Sequence, residues 1–304
     1  MESPSEAGIA SSFLLAEKTV RGVILEGTSL VREMQSRHDL GALETMLLGQ
    51  ALLGTALMAS TLKGQDEINL RIDCSGPVKG LVVEATATGE VRGYLKQLPI
   101  PLSTPLTSFE ETNPLEPLWG EGFLTITRFM EEGRQPFSSS LALQSGNIAT
   151  EIATYYRISE QTPTAVHLSI FFDPLGKLAG AGGLLLQAMP GANKNIFATL
   201  EQQAQTLPSL GKSLAESHTI EPWLEEQLAP FLPFMLEKKT IRYRCRCDAE
   251  RMRLLLLHLS LADLEDMRAN GPFPVTLTCH FCNQHYPFEQ EALAEICREK
   301  QAQT

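Results

Sequence analysis

Two close cysteine pairs near the C-terminus, Cys245-Arg246-Cys247 and Cys279-His280-Phe281-Cys282, constrain this chain more than any other feature. The 31 residues 248–278 between them form an insert that can fold back and bring the two pairs together. In an extended CxC, side chains at i and i+2 share a face, so Cys245 and Cys247 can chelate one ion. The turn of the CxxC lifts the sulfurs of Cys279 and Cys282 toward one point, and Asn283 behind it tolerates a left-handed backbone. Four thiolates so placed predict a single tetrahedral site, and soft sulfur donors favour Zn²⁺ over hard cations. His280, between the thiols, and His285, on the exit strand, are alternative ligands. The same sulfurs are oxidisable, because metal-bound cysteines are thiolates and thiolates are what oxidants attack. Spacing alone is compatible with a permanent zinc staple as well as with a switch.

The segment that carries the cysteines, residues 241–304, is small for an independent core, and modules of that size are usually held by metal or disulfides. Structural zinc contributes roughly 10–16 kcal/mol to folding in small metal-dependent peptides, so loss of the ion should unfold such a module. The whole chain has 304 residues, which predicts two domains. Its net charge of −11 and lack of a basic block disfavour nucleic-acid binding. Six cysteines are too few for a secreted disulfide scaffold, and residues 1–6 have no basic signal-peptide start. A reducing cytoplasm is therefore expected. Residues 45–62 are 18 positions without a charge, long enough for a membrane span. They include Gly49, Gln50, Gly54, Thr55, Ser60 and Thr61, and are read as a helix buried in a soluble domain, with no membrane partner.

The remaining pattern predicts an α+β fold. Residues 1–12 are small and polar and are expected to fray. Strands are expected over 20–25, 68–72, 81–85, 91–95, 123–130, 137–143, 166–172 and 181–189, with turns at Gly89, at Glu132-Gly133 and at Asp173–Gly176. Helices are expected over 29–37, capped by Thr28 or Ser29, from Asp39 to just before Gly64, and over 147–160 and 195–205. Residues 98–117 hold five prolines and read as loop. Gly180, Gly182 and Gly183 lie within a strand pattern, where they indicate close backbone packing rather than a nucleotide loop. Residues 1–190 thus form an N-terminal α+β domain with a long buried helix. Residues 191–240 form an apolar linker region of short helices, in which Trp223, Leu224, Leu228, Phe231, Phe234 and their neighbours need a docking partner. Residues 241–304 form the zinc-binding module: Asp248 and Ser260 cap two helices, residues 275–278 lead into the CxxC, 286–288 leave it, and a helix over 289–300 ends it.

These motifs resemble the heat shock protein 33 family of redox-regulated holdase chaperones. The resemblance rests on the CxC, insert and CxxC, and on Gly180-Ala181-Gly182-Gly183-Leu184-Leu185-Leu186-Gln187-Ala188-Met189-Pro190. It also rests on Tyr155-Tyr156-Arg157-Ile158-Ser159-Glu160-Gln161-Thr162-Pro163-Thr164 and on the long uncharged run up to Lys63. It implies a stress-response protein that is inactive while reduced and zinc-bound. Oxidation then pairs Cys245 with Cys247 and Cys279 with Cys282, and zinc leaves. The module and linker unfold, the protein forms a homodimer, and unfolding client proteins are held without ATP. Trp223, Leu224, Leu228, Phe231 and Phe234 become the candidate client surface. The implied Cys245–Cys247 bridge is awkward, since Cα atoms two apart in a strand lie at or beyond the usual disulfide range of about 4.4–6.8 Å. A strained bridge is readily reduced, which suits a reversible signal. Cys74 reads as a core or turn residue, whereas Cys297, near the module, could mispair.

Two other readings use the same residues. A constitutively folded zinc module could serve a binding partner. A disulfide reductase could use Cys279 and Cys282, but Asn283 to Phe288 looks extended where that chemistry requires a helix. No Ser/His/Asp triad, phosphate-cradling loop or paired-carboxylate motif is evident, so no enzymatic activity is expected.

Overall fold

The structure, a computed structural model, describes residues 7–102, 116–131, 133 and 135–302. Residues 1–6 of the expected frayed start, residues 103–115 of the proline-rich loop and Glu132 of the expected turn lie outside the described residues. Contacts divide the chain into two units, Met1–Arg244 and Cys245–Thr304.

In chain order the first unit comprises β1 (Gly8–Leu15), β2 (Val20–Glu26), α1 (Thr28–His38), α2 (Ala42–Ala59), β3 (Glu67–Cys74), β4 (Gly80–Thr86), β5 (Glu90–Leu95) and α3 (Glu116–Trp119). It continues with β6 (Gly122–Phe129), β7 (Phe137–Ala142), α4 (Ile148–Ser159), β8 (Thr164–Phe172), β9 (Leu178–Ala188), α5 (Lys194–Thr206), α6 (Leu210–Ala215), α7 (Ile220–Leu228) and β10 (Phe234–Tyr243). The strands form one sheet in the order β7-β6-β3-β4-β5-β10-β1-β2-β9-β8. Neighbours are antiparallel, apart from the short parallel step where Arg242 and Tyr243 of β10 pair with Glu90 and Val91 of β5. The α+β expectation holds.

Helix α2 is apolar all round and is therefore buried all round. It is long and apolar enough to cross a membrane, but 89% of it lies inside the fold. It packs on one face of the sheet with α1 and α4. The other face of β1, β2, β8 and β9 is covered by α5, α6 and α7. Strands β2 and β9 are thus apolar on both sides: Val23, Leu25 and Leu185 face α2, whereas Val20, Ile24, Leu184 and Leu186 face the outer helices. The unbroken Leu184-Leu185-Leu186 run follows from this double burial. The glycines of β9 admit α6. A Cβ on Gly180 would stand 2.0 Å from the Gly211 carbonyl oxygen, so only a bare backbone fits there.

Several local expectations change. Residues 8–12 are not frayed but belong to β1, held between β2 and β10. The N-cap of α1 is Gly27, with no side-chain cap. The Thr28 hydroxyl instead accepts from Ala181 N–H at 3.0 Å and contacts the Ala181 carbonyl, a tertiary use of a capping residue. Asp39 does not open α2; it ends α1 in the left-handed conformation at φ 50°. The apolar linker ends in strand β10, whose pairing with β1 supplies the order that composition does not signal.

The second unit comprises α8 (Ala249–Leu257), α9 (Leu261–Asn270), β11 (Val275–Thr278), β12 (His285–Phe288) and α10 (Gln290–Ala302). The caps form as expected: the Asp248 carboxylate accepts from Arg251 N–H at 2.7 Å and the Ser260 hydroxyl from Asp263 N–H at 3.1 Å. Its small core joins Met252, Leu256, Leu264, Phe288, Leu293 and Ile296 to the cysteine sulfurs.

Candidate metal centre

The four motif cysteines meet at the centre of the second unit. Their sulfurs all lie within 4.8 Å of one another, with Cys245 and Cys279 3.7 Å apart and Cys247 and Cys282 3.3 Å apart. The insert 248–278 makes this possible by folding as two capped helices that return the chain to its start. The CxxC occupies the turn between β11 and β12, closed by Cys279 N–H to the Gln284 carbonyl at 2.9 Å and Asn283 N–H to the Cys279 carbonyl at 2.8 Å. Asn283 takes the left-handed conformation, φ 58°, that the turn needs.

Zinc bound to four sulfurs at about 2.3 Å spaces them about 3.8 Å apart, so these residues fit one tetrahedral ion with small adjustments. Neither imidazole is in the cluster: His285 Nδ1 lies 2.9 Å from the Thr278 hydroxyl, and the ligand atoms that converge are the four sulfurs.

Burial pushes the Cys245 thiol up, but the Cys247 backbone N–H and the Cys247, Cys282 and Cys279 thiols outweigh it and hold the group at about 7. Burial raises Cys279 despite the Phe281 N–H, and the neighbouring sulfurs raise it further. Burial likewise raises Cys282 strongly, against the Gln284 N–H. Crowded sulfurs resist a second negative charge unless a cation is present, and a bound cation would favour their thiolate forms. The Tyr286 hydroxyl donates to the Cys247 sulfur at 3.1 Å, and that bond, with burial, raises the phenol. Sequence spacing does not single out Tyr286; its place on the strand leaving the CxxC is the one signal that it can reach the sulfurs.

The Hsp33 protein family model matches residues 10–289. The chain belongs to the Hsp33 family. A 33 kDa chaperonin of Desulforamulus reducens is 33% identical over 273 residues, covering 89% of this chain and 90% of that protein. One from Levilactobacillus brevis is 32% identical, covering 93% and 95%. The crystal structure of the 33 kDa chaperonin from Thermotoga maritima matches with a TM-score of 0.85 at 30% identity, covering 98% of this chain and 99% of that one. Chaperone function is what Hsp33 membership supports.

In this Hsp33 chain four of the five apolar candidates are not a free surface. Trp223, Leu224 and Leu228 are buried on the outer face of the sheet, and Phe231 packs at their rim. Phe234 stands apart on β10, 56% exposed, with the Lys18 ammonium 5.4 Å from its ring centre. Of the remaining cysteines, Cys74 ends β3 half-buried against the main core, where burial raises its thiol. Cys297 is buried on α10 in the module core.

Proposed function

We propose that this chain is an ATP-independent holdase chaperone switched by the redox state of its clustered cysteines. In the reduced state the thiolates of Cys245, Cys247, Cys279 and Cys282 hold one Zn²⁺. The ion supplies a tetrahedral crosslink around which residues 245–302 fold. Oxidation pairs Cys245 with Cys247 and Cys279 with Cys282. Each S–S bond forms as two electrons pass to hydrogen peroxide. The O–O bond breaks and, with two protons from thiols or solvent, two waters leave. No thiolate is then left to grip the ion, and the module loses its crosslink. Residues 191–240 follow, baring Trp223, Leu224, Leu228 and Phe231 beside the already exposed Phe234. Unfolding client proteins bind there, the oxidised chains pair as homodimers, and the protein acts in the cytoplasm without a nucleic-acid or membrane partner and without catalysis.

The observation that carries this reading is the convergence of four sulfurs within 4.8 Å in a chain matched along most of its length by the Hsp33 family model. The buried indole nitrogen of Trp223, which has no hydrogen-bond partner among the described residues, supports a linker that detaches at modest cost. The test is to treat the purified protein with increasing peroxide and measure zinc release and suppression of aggregation of an unfolding client. The two should rise together. Equal suppression before and after oxidation, or zinc retained at full oxidation, would argue for a constitutive zinc module instead.

A further inference from the structure

One sulfur of the cluster has a side-chain hydrogen-bond donor carried by the CxxC hairpin. Backbone N–H groups two residues on act on three of the thiols, Cys247 N–H on Cys245, Phe281 N–H on Cys279 and Gln284 N–H on Cys282. Cys247 accepts from the Tyr286 hydroxyl at 3.1 Å. That hydroxyl is held by regular structure. Tyr286 pairs with Leu277 in the β11–β12 ladder, and the neighbouring pair, Thr278 and His285, is tied by a 2.9 Å side-chain contact. The hairpin that carries Cys279 and Cys282 in its turn therefore also sends a donor across to the CxC arm.

We propose that Tyr286 is the positioning residue of the switch: its hydroxyl clamps Cys247 to the CxxC hairpin and limits how readily that sulfur is oxidised. The inference rests on the zinc-thiolate reading above. Four thiolates on a divalent ion leave two excess negative charges, and donors to sulfur spread them. A thiolate that accepts a hydrogen bond is a poorer nucleophile toward peroxide than a bare one. Outer donors of this kind commonly contribute 10- to 100-fold to metal affinity. Backbone donors are beyond the reach of side-chain variation, so Tyr286 is the donor through which substitution can move the oxidant sensitivity of Cys247.

The test is Tyr286→Phe, which keeps the ring and removes only the oxygen. Zinc affinity, read by competition with a chromogenic chelator, should fall about 10-fold. Peroxide-driven zinc release should quicken, and alkylation mapping of the still zinc-loaded protein should show Cys247 protected less than in the parent protein while Cys279 and Cys282 change little. A second measurement needs no variant. In the parent protein loaded with ¹¹³Cd, the Tyr286 hydroxyl proton should exchange slowly and show coupling to the metal through the sulfur. Unchanged affinity and release in a folded Tyr286→Phe protein, or a fast-exchanging uncoupled hydroxyl in the parent, would overturn the assignment. Failure of the switch itself reads differently: the parent protein would keep its zinc under peroxide whatever the hydroxyl does.

Discussion

At the scale of single residues, the proposed switch rests on the cysteine sulfurs and on the neighbours that tune them. Cys282→Ser removes one of the four clustered sulfurs from a module whose own core is small. Purified variant should carry far less zinc than the parent and lose the cooperative thermal transition of residues 245–302, checked by metal analysis and calorimetry. His167, on β8, offers an independent residue-scale prediction. Burial lowers its pKa to about 4, opposed only by a hydrogen bond to the Pro208 carbonyl; proline has no N–H, so the imidazole donates. Its Nε2 is buried with no hydrogen-bond partner among the described residues, and protonation would place a charge there. Because the folded value lies below the ordinary 6.5, stability is fully present above about pH 6.5 and is lost as pH falls toward 4. The full loss is on the order of 3 kcal/mol. Since Pro208 lies between α5 and α6, acid should loosen the linker helices, and His167→Gln should flatten the pH dependence of their proteolysis. The cysteine cluster and the αL position of Asn283 were legible in the sequence, because each follows from local spacing. The roles of Thr28 and Tyr286 were not, because each hydroxyl spends its hydrogen bond on a residue distant in the chain or across the cluster.

Among the elements, α2 announces itself as an uncharged run, and its burial follows from having no polar face. Strands β1 and β10 do not. Ala10, Ser11 and Ser12 carry little strand propensity, and Phe234 to Leu236 follow a proline-broken apolar stretch; both segments are ordered by pairing with each other across more than two hundred residues of chain. The contact of α6 with β9 was legible only in part. The glycines signalled a close approach, but not that Gly211 is the partner. This contact is open to a direct test. Gly180→Val places a Cβ 2.0 Å from the Gly211 carbonyl oxygen, and neither backbone can yield without moving α6. The variant should digest faster within residues 191–240 and bind a hydrophobic dye while still reduced and zinc-bound. Ordinary protease resistance and dye binding would show that the linker tolerates the displacement.

For the whole molecule, the division at Arg244–Cys245 separates a large sheet unit with cores on both faces from a module with one small core containing its own sulfurs. Stability should be distributed accordingly. Chelation of the metal under reducing conditions should unfold residues 245–302 and leave β2 and β9 intact, seen as a partial loss of ellipticity with the main thermal transition preserved. The sequence made the module and its sulfur cluster legible because the cysteines come in two close pairs. The holding of unfolded proteins was not legible from residue chemistry and comes with the family. The most direct measurement of the central claim, that a perishable metal clamp keeps the apolar linker covered, is hydrogen exchange on one sample set followed from reduced to fully oxidised protein, with zinc content recorded at each step. Protection should vanish first or together in residues 245–302 and 194–231 as zinc is lost, while β2 and β9 stay protected. A tail and linker that remain protected after the metal has gone and the four cysteines are oxidised would contradict the claim.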